Sequence, residues 1–325
     1  MRRFSPIPTT PAYADTAAVI MAGGGPAGLS AALFLGRGRK RVLVCDTGPA
    51  RNAAARHVYG FLTRDGTPPA DIRRLGREQL APYGVEVVEV PIAEVQGDAG
   101  DFTVRLGDGR EVHARRLLLA TGMIDDPIDI PGWKELWGQS IFQCPYCHGW
   151  EVQDRIWGCL ITAPQLVEFG AFLRGWTDRV VLFTDGRVPI ADDVRARLVA
   201  SGVTLEERRI GRLVVAAGTE TRLEAVELEG GVRVPCEVLF AKPPQRQPAL
   251  VAQLGLELDE AGLVKVDEQR RTSRPGVYAA GDMITMAQGA LLAAAAGCMA
   301  ATMLNHQLTA ELAAQGALRA APAPR

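Results

Sequence analysis

Aromatic residues are scarce in this chain, at 6% of 325 residues. Net charge is scarce too. Lys and Arg number 36 against 37 Asp and Glu, a formal −1, so nothing points to a nucleic-acid or anionic-membrane partner. Long apolar runs are missing. The most extended late one, residues 290–304, is rich in small residues and falls short of the ~20 residues that span a bilayer, so it reads as a buried helix. Arg2-Arg3 imitates a twin-arginine export signal, but the apolar stretch such a signal needs is absent until Ala17, where a glycine-rich element begins. The expected location is the cytoplasm. Six cysteines stand at 45, 144, 147, 159, 236 and 298, and only one pair is close in sequence. In a reducing compartment that excludes a structural disulfide framework and leaves a catalytic or metal-binding pair.

What is present suits a soluble α/β protein. Hydrophobic residues make up 47% and charged residues 22%, an ordinary globular balance, and the length allows two domains with separate cores. Thirty-five glycines suit a backbone that approaches a ligand closely. Residues 18–22 are apolar and β-compatible, a glycine run follows, then a helical pattern over about 29–35 and a strand over 41–46. This is the first βαβ unit of a dinucleotide fold. The pattern next predicts a helix at 71–82, a meander of strands at 85–95, 102–106 and 111–115, and a last strand at 117–120. The order then repeats: strand 157–161, helix 166–173, strand 179–183, helix 192–200 and a meander over 213–240. Pro243, Pro244 and Pro248 mark a crossing point, followed by strands near 263–266 and 277–279 and a long helix from Gly289. The expected plan is two Rossmann-like dinucleotide-binding domains, the second inserted into the first. Residues 17–123 and 244–312 form one and 124–243 the other, with an extended segment at 1–16 and a flexible tail at 313–325.

Gly23-Gly24-Gly25-Pro26-Ala27-Gly28 has the GxGxxG spacing. The first glycine permits a sharp strand-to-helix turn, the second lets a pyrophosphate reach the backbone, and the third lets helix and strand pack closely. Asp46, at the end of the second strand, is placed to accept hydrogen bonds from ribose hydroxyls. The segment after it, starting at Arg51 and Asn52 and including His57, is expected near the same cofactor. A second segment, Arg274-Pro275-Gly276-Val277-Tyr278-Ala279-Ala280-Gly281-Asp282, resembles the closing FAD motif of the two-dinucleotide-domain flavoproteins, with Gln288, Gly289 and Ala290 where the following helix begins. Leu119-Ala120-Thr121-Gly122 is similar to the strand end of that family. The resemblance implies FAD, with Asp282 on a ribitol hydroxyl and the helix from Gly289 aimed at the isoalloxazine.

Gln143-Cys144-Pro145-Tyr146-Cys147-His148-Gly149 is the most informative stretch. With FAD motifs at both ends of the chain and a CxxC in the inserted domain, the sequence resembles the low-molecular-weight thioredoxin reductase family. Its CPYCHG form is most similar to the dithiol oxidase-like subgroup, which includes enzymes that close disulfides in small natural products. The resemblance implies that Cys147 faces the flavin, that Cys144 meets the substrate, and that His148 is the acid/base. Thioredoxin reductases proper usually carry an aspartate at that place, a departure that counts against a thioredoxin-sized substrate. Independently of family, Pro145 suits the first position of a helix and makes Cys144 its cap, where a neighbouring imidazolium would favour the thiolate. CxxCH is also the c-type haem pattern, which requires export. Two cysteines and a histidine are zinc-ligand types as well, but a structural site wants four ligands and no second cysteine pair exists. His113 reads as a surface residue, and His306 as a helix-end residue able to approach a partner subunit.

The second nucleotide loop departs from the family. Where the inserted domain needs GxGxxG, the chain has Thr162-Ala163-Pro164-Gln165-Leu166-Val167. A Cβ at the first position obstructs the turn and proline at the second removes an N–H. The basic cluster for a 2′-phosphate is replaced by Thr184-Asp185-Gly186-Arg187. The expectation is an FAD-dependent thiol-disulfide oxidoreductase in which Cys144 and Cys147 pass electrons between a dithiol and FAD, with little use of NADPH. The partner on the far side would be oxygen or a donor such as ferredoxin, the substrate a small dithiol or a thioredoxin-like protein, and the assembly a homodimer. An NADPH-dependent thioredoxin reductase with an atypical loop, and a non-catalytic flavin redox sensor, are the alternatives.

Overall fold

The computed structural model describes residues 16–316; the expectations placed on 1–15 and on 317–325 lie outside the described residues. Two compact units emerge. One contains the chain up to Ala50, Ala70–Ile124 and the chain from Gln247 onward; the other contains Arg51–Pro69 and Asp125–Arg246.

The first unit starts with β1 (Thr16–Ala22), α1 (Pro26–Arg37) and β2 (Val42–Cys45), the two strands pairing in parallel. After α2 (Pro69–Leu80), β3 (Glu86–Val88) joins β2 in parallel, and β4 (Ile92–Asp98), β5 (Asp101–Leu106) and β6 (Glu111–Leu119) form an antiparallel meander. The run 85–95, read as one strand, is two. Pro91 has no N–H to continue a ladder, so β3 stays with the parallel strands while β4 turns into the meander. Conversely, 111–115 and 117–120 are a single strand. Arg116 lies inside β6 at 3% exposure, its charge paired with Glu311. The first half of β6 holds β5 antiparallel, while its last three residues hold another strand in parallel on the same edge.

The second unit opens with β7 (Ile124–Asp125), α3 (Trp133–Leu136), β8 (Ile141–Phe142), α4 (Pro145–His148), β9 (Trp157–Leu160) and α5 (Phe169–Leu173). It continues with β10 (Val180–Phe183), α6 (Asp192–Ala200), β11 (Val203–Glu206), β12 (Ile210–Val215), β13 (Leu223–Leu228), β14 (Arg233–Pro235), β15 (Val238–Ala241) and β16 (Gln245–Arg246). Its parallel sheet runs β11-β10-β9-β15-β8, and β12-β13-β14 form a separate antiparallel sheet. Thus β15, read as part of the meander, belongs to the parallel sheet. The predicted helix 166–173 is also reduced. A 3-10 turn at Pro164–Leu166 precedes a helix of only five residues.

The chain then returns to the first unit with α7 (Ala249–Gln253), β17 (Val277–Ala279) and α8 (Ala290–Ala314). No strand forms at 263–266. Asp259 Oδ1 captures the amides of Ala261 and Leu263, leaving only an isolated bridge between Leu258 and Val264. β17 is the strand that completes the edge of β6. α8 buries Ala300, Ala301, Leu304 and Leu308, and its Gly297 lies so close to α1 that a Cβ would run into the Ala27 carbonyl. Replacing Gly297 with Val should therefore cost about 1–3 kcal/mol. Urea denaturation would register it as a lower midpoint with an unchanged slope, and an unchanged midpoint would refute the tight α1–α8 contact.

Candidate active site

In the first unit the glycine turn has the geometry of a phosphate cradle. Gly23 has φ +107°, and a Cβ there would run into the carbonyl of Ala120. A Cβ on Gly28 would run into the carbonyl of Gly23. Gly25 differs: nothing lies within 4 Å of where its Cβ would be. It is also the N-cap of α1, with no side chain capping the helix and Pro26 at the first position. The amides of Ala27 and Gly28 thus stand at an open helix N-terminus, an arrangement that attracts anions.

Asp46 lies at the end of β2 with 7% exposure, and a Cβ on Gly24 would come within 2.5 Å of its Oδ2. The same oxygen accepts bonds from Arg73 and from Arg77, the latter at 2.8 Å. Burial pushes the carboxyl up, but the bonds from Arg77 and Arg73 outweigh it and hold it below its usual range. These two arginines on α2 escaped sequence reading. Their i,i+4 spacing was the available signal, and only the fold shows that Asp46 is their target.

Gly281, with φ +85°, is buried against Ala27, and Asp282 follows in a 3-10 turn. Thr121 Oγ1 lies 3.7 Å from the Met283 sulfur, and Gly122 has φ +65°. Gln288 donates to the Asp282 carbonyl at 3.4 Å, and Gly289 is an N-cap for α8 without a side-chain cap, so Ala290 opens a second bare helix terminus. The first unit therefore gathers Gly23, Gly25, Pro26, Ala27, Gly28, Asp46, Thr121, Gly122, Gly281, Asp282, Gln288, Gly289 and Ala290. Arg51 and Asn52 fall in the other unit. There Arg51 makes paired bonds of 2.6 Å to both oxygens of Asp125 and one of 3.2 Å to Gln143, the residue before Cys144.

In the second unit Cys144 and Cys147 are joined by a disulfide with Cα atoms 5.3 Å apart. Pro145 starts the single-turn α4, and Cys144 is its N-cap. Behind the turn, the ring of His148 stacks on Phe142 (4.3 Å between centroids, 12° between planes) and meets Tyr59 edge-on at 6.0 Å. His57 Nδ1 lies 3.4 Å from the Tyr59 hydroxyl. Burial, helped by the positive field of His57, pushes His148 down to about 4. At neutral pH it is a neutral imidazole. The expected imidazolium beside the cysteines is thus absent while the disulfide is closed. Tyr59 was missed because nothing local in sequence ties it to residue 148. His113 bonds Thr103 on the meander, at 3.2 Å. Cys45, Cys159 and Cys236 are buried, each with its thiol pushed up to about 12, by burial first. Among the described residues no group of three or more His, Cys, Asp or Glu gathers to hold a metal, and no helix is long and apolar enough to cross a membrane.

The loop that lacks the GxGxxG glycines follows β9. Thr162 Oγ1 donates to the Lys242 carbonyl at 2.9 Å, and Pro164 opens the short 3-10 turn. At the end of β10, Asp185 is buried with φ +52°. Its Oδ1 accepts the Ile210 amide at 2.6 Å, and its Oδ2 pairs with Arg187 at 2.8 Å. A cavity of about 240 Å³ remains beside Thr162, walled by Ile128, Ile130, Leu160, Asp185 and Arg187.

A two-unit protein with an open glycine cradle in one unit and a disulfide turn in the other has the plan of a flavin-dependent disulfide oxidoreductase. Residues 17–301 match the model of the pyridine nucleotide-disulphide oxidoreductase family, and the chain belongs to that family. It is 33% identical over 316 residues to "Thioredoxin reductase sirT" of Leptosphaeria maculans, covering 92% of this chain and 97% of that protein. It is also 33% identical to "Thioredoxin reductase tcpT" of Claviceps purpurea (strain 20.1), covering 91% and 95%. The crystal structure of HlmI superposes with a TM-score of 0.87 at 38% identity, covering 93% of this chain and 95% of that one. The protein is a thioredoxin reductase-like oxidoreductase acting on sulfur groups, and its family implies FAD. The residues present fit such a group, because Gly25 leaves open the space a Cβ would fill at an uncapped helix end.

Two outcomes follow from this geometry. Gly25→Val should leave the protein folded, since its Cβ meets no neighbour, yet lower the FAD retained on purification at least ~10-fold by blocking the cradle; full flavin content would refute the assignment. The second outcome is a pH effect. Between about 4 and 6.5 the unfolded chain protonates His148 while the folded one does not. The stability from holding it neutral is complete above pH 6.5 and falls as pH drops, the loss finishing near pH 4 at about 3 kcal/mol. His148→Asn should flatten that part of the stability–pH curve of the oxidised protein, and an unaltered curve would contradict the buried neutral ring.

Proposed function

We propose that this protein oxidises small dithiols through the Cys144–Cys147 disulfide and FAD, without efficient use of NADPH. The observation that carries this reading is the second nucleotide loop. A buried carboxylate, Asp185, stands where a 2′-phosphate would need a cation, and it already engages Arg187. Pro164 and the five-residue α5 leave no long helix terminus for a second pyrophosphate. The cavity beside Thr162, at about 240 Å³, is smaller than the ~300 Å³ lower bound of ordinary ligand pockets.

Gly23, Gly25, Ala27 and Gly28 would hold the pyrophosphate, Asp46 the ribose, and Asp282 with the start of α8 the flavin end. Bound there, FAD supplies a two-electron acceptor for the cysteine pair. The chain's own chemistry is thiol–disulfide exchange. A substrate thiolate attacks Cys144 Sγ, the Cys144–Cys147 bond breaks, and Cys147 leaves as a thiolate. The second substrate thiol then attacks the mixed disulfide and releases Cys144. The substrate has lost two electrons and two protons, and the pair has gained the electrons. His148 is neutral before the attack and can accept a proton. A thiolate forming on the adjacent Cys147 favours its charged form, so proton uptake is tied to the arrival of electrons. Oxygen, taking up the two electrons and two protons as hydrogen peroxide, is the acceptor that returns the pair to the disulfide, whereas a ferredoxin-like donor would drive the pair in the opposite direction. Leu291, Leu292 and Met299, exposed on α8, support a homodimer. The likeness to the thioredoxin reductases sirT and tcpT favours a second reading, an NADPH-dependent thioredoxin reductase.

Anaerobic titration separates the two. Dithiothreitol should bleach the flavin absorbance, with recovery on admitting air, while micromolar NADPH or NADH leaves it unchanged; rapid bleaching by either nucleotide would establish the reductase reading instead. Cys144→Ser should lower dithiol turnover by at least ~100-fold, the scale expected when an attacked or attacking group is removed.

A further inference from the structure

Aromatic residues are 6% of the chain, yet several converge on the surface around the disulfide. Tyr146 sits between the two cysteines and is 74% exposed. Its ring meets Trp176 edge-on at 5.4 Å and Phe172, 42% exposed, at 5.8 Å. Phe172 and Trp176 are themselves in edge contact at 5.3 Å. The three rings touch one another pairwise, at spacings typical of favourable aromatic pairs. Trp176 is the anchored member. It stacks on the buried Trp157 at 6.3 Å, and a Cβ on Gly149 would come within 2.9 Å of its indole. Core packing accounts for Trp176 but not for Tyr146 and Phe172, whose outer faces are in solvent.

We propose that Tyr146, Phe172 and Trp176 form a shelf that seats a planar, uncharged ring carried by the substrate dithiol, an inference that rests on the dithiol exchange assigned above to Cys144–Cys147. Tyr146 stands between Cys144 and Cys147 on the turn that carries the sulfurs, so a ring seated on it lies on the same turn as the disulfide. The three rings of the shelf carry no formal charge, which suits an uncharged ring. Three side chains match a small ring system, whereas a stable protein partner covers about 800 Å² on each side.

The test uses the FAD-loaded protein and two dithiols that both close six-membered cyclic disulfides, 1,2-benzenedimethanethiol and dithiothreitol. The readout is the ratio of their kcat/KM values. Phe172→Ser and Tyr146→Ser should each lower that ratio by about 10-fold, the scale of a lost aromatic pair together with its buried area. Tyr146→Phe, which keeps the ring, should preserve it. The bis-S-methyl derivative of the aromatic dithiol cannot exchange. Its dissociation constant, measured by calorimetry, should rise by a similar factor in the serine variants. An unchanged ratio and unchanged dissociation constant, with both dithiols still turned over, would overturn the shelf and leave the exchange reading intact. Weakened binding of the S-methyl derivative with no turnover of either dithiol would keep the shelf and remove the exchange reading. A loss confined to exchange with a thioredoxin-fold protein disulfide would overturn the shelf in favour of a protein-docking surface.

Discussion

The redox turn depends on a closed circuit of rings. Trp176 presses on the turn at Gly149 and stacks on Trp157. Trp157 packs against Phe240 at 4.5 Å, and Phe240 against Phe142 at 6.1 Å. Phe142 stacks on His148, which returns the circuit to the turn. Trp157 and Phe240 sit on adjacent parallel strands, β9 and β15, and Phe142 on the neighbouring β8. The indole of Trp157 also donates to the Val152 carbonyl at 2.8 Å, fixing the chain just beyond the turn. A four-residue helix has little stability of its own. Its C-terminal end is held by Phe142 under His148 and by Trp176 at Gly149, with Trp157 and Phe240 behind them.

This support sets the electrostatics of the site. Stacking on Phe142 and contact with Tyr59 leave the His148 ring half-buried, and this partial desolvation opposes its charge. While the disulfide is closed the positive field of His57 adds to that effect, and the ring stays neutral. The histidine that looked from sequence like a charged neighbour of the cysteines is uncharged in this state because of its packing.

Much of this was legible in the sequence because the informative features are local. The GxGxxG turn between a strand and a helix, the CxxCH run and the strand ending in Gly281-Asp282 are short motifs whose spacing carries their geometry. Pro145 announced the helix start, and β17 appeared where its apolar residues stood. The failures share the opposite character. Whether Arg116 breaks a strand depends on Glu311, far along the chain. Whether β15 closes a meander or joins a parallel sheet depends on β9 and β8. The clamp of Arg73 and Arg77 on Asp46, the contact of Tyr59 with His148 and the ring circuit through 142, 157, 176 and 240 all require the fold. At the second nucleotide loop the sequence showed that glycines were missing. The fold added that the helix itself had shrunk and that Asp185 had taken up its neighbouring arginine.

The second unit keeps a full parallel sheet although the loop after β9 lacks the glycines of a GxGxxG turn. The parallel sheet β11-β10-β9-β15-β8 buries Trp157, Leu182, Phe183, Leu239 and Phe240 almost completely. The missing glycines at 162 and 164 alter a loop and shorten one helix, a segment that still packs Val167 and Leu173 into that core. Loss of β9, β15 or β8 would remove the rings under the disulfide. Substitution is therefore cheap at the loop and costly at the sheet. Whatever the loop after β9 binds, the sheet carries a further load, the mounting of the Cys144–Cys147 turn on the rings of β8, β9 and β15.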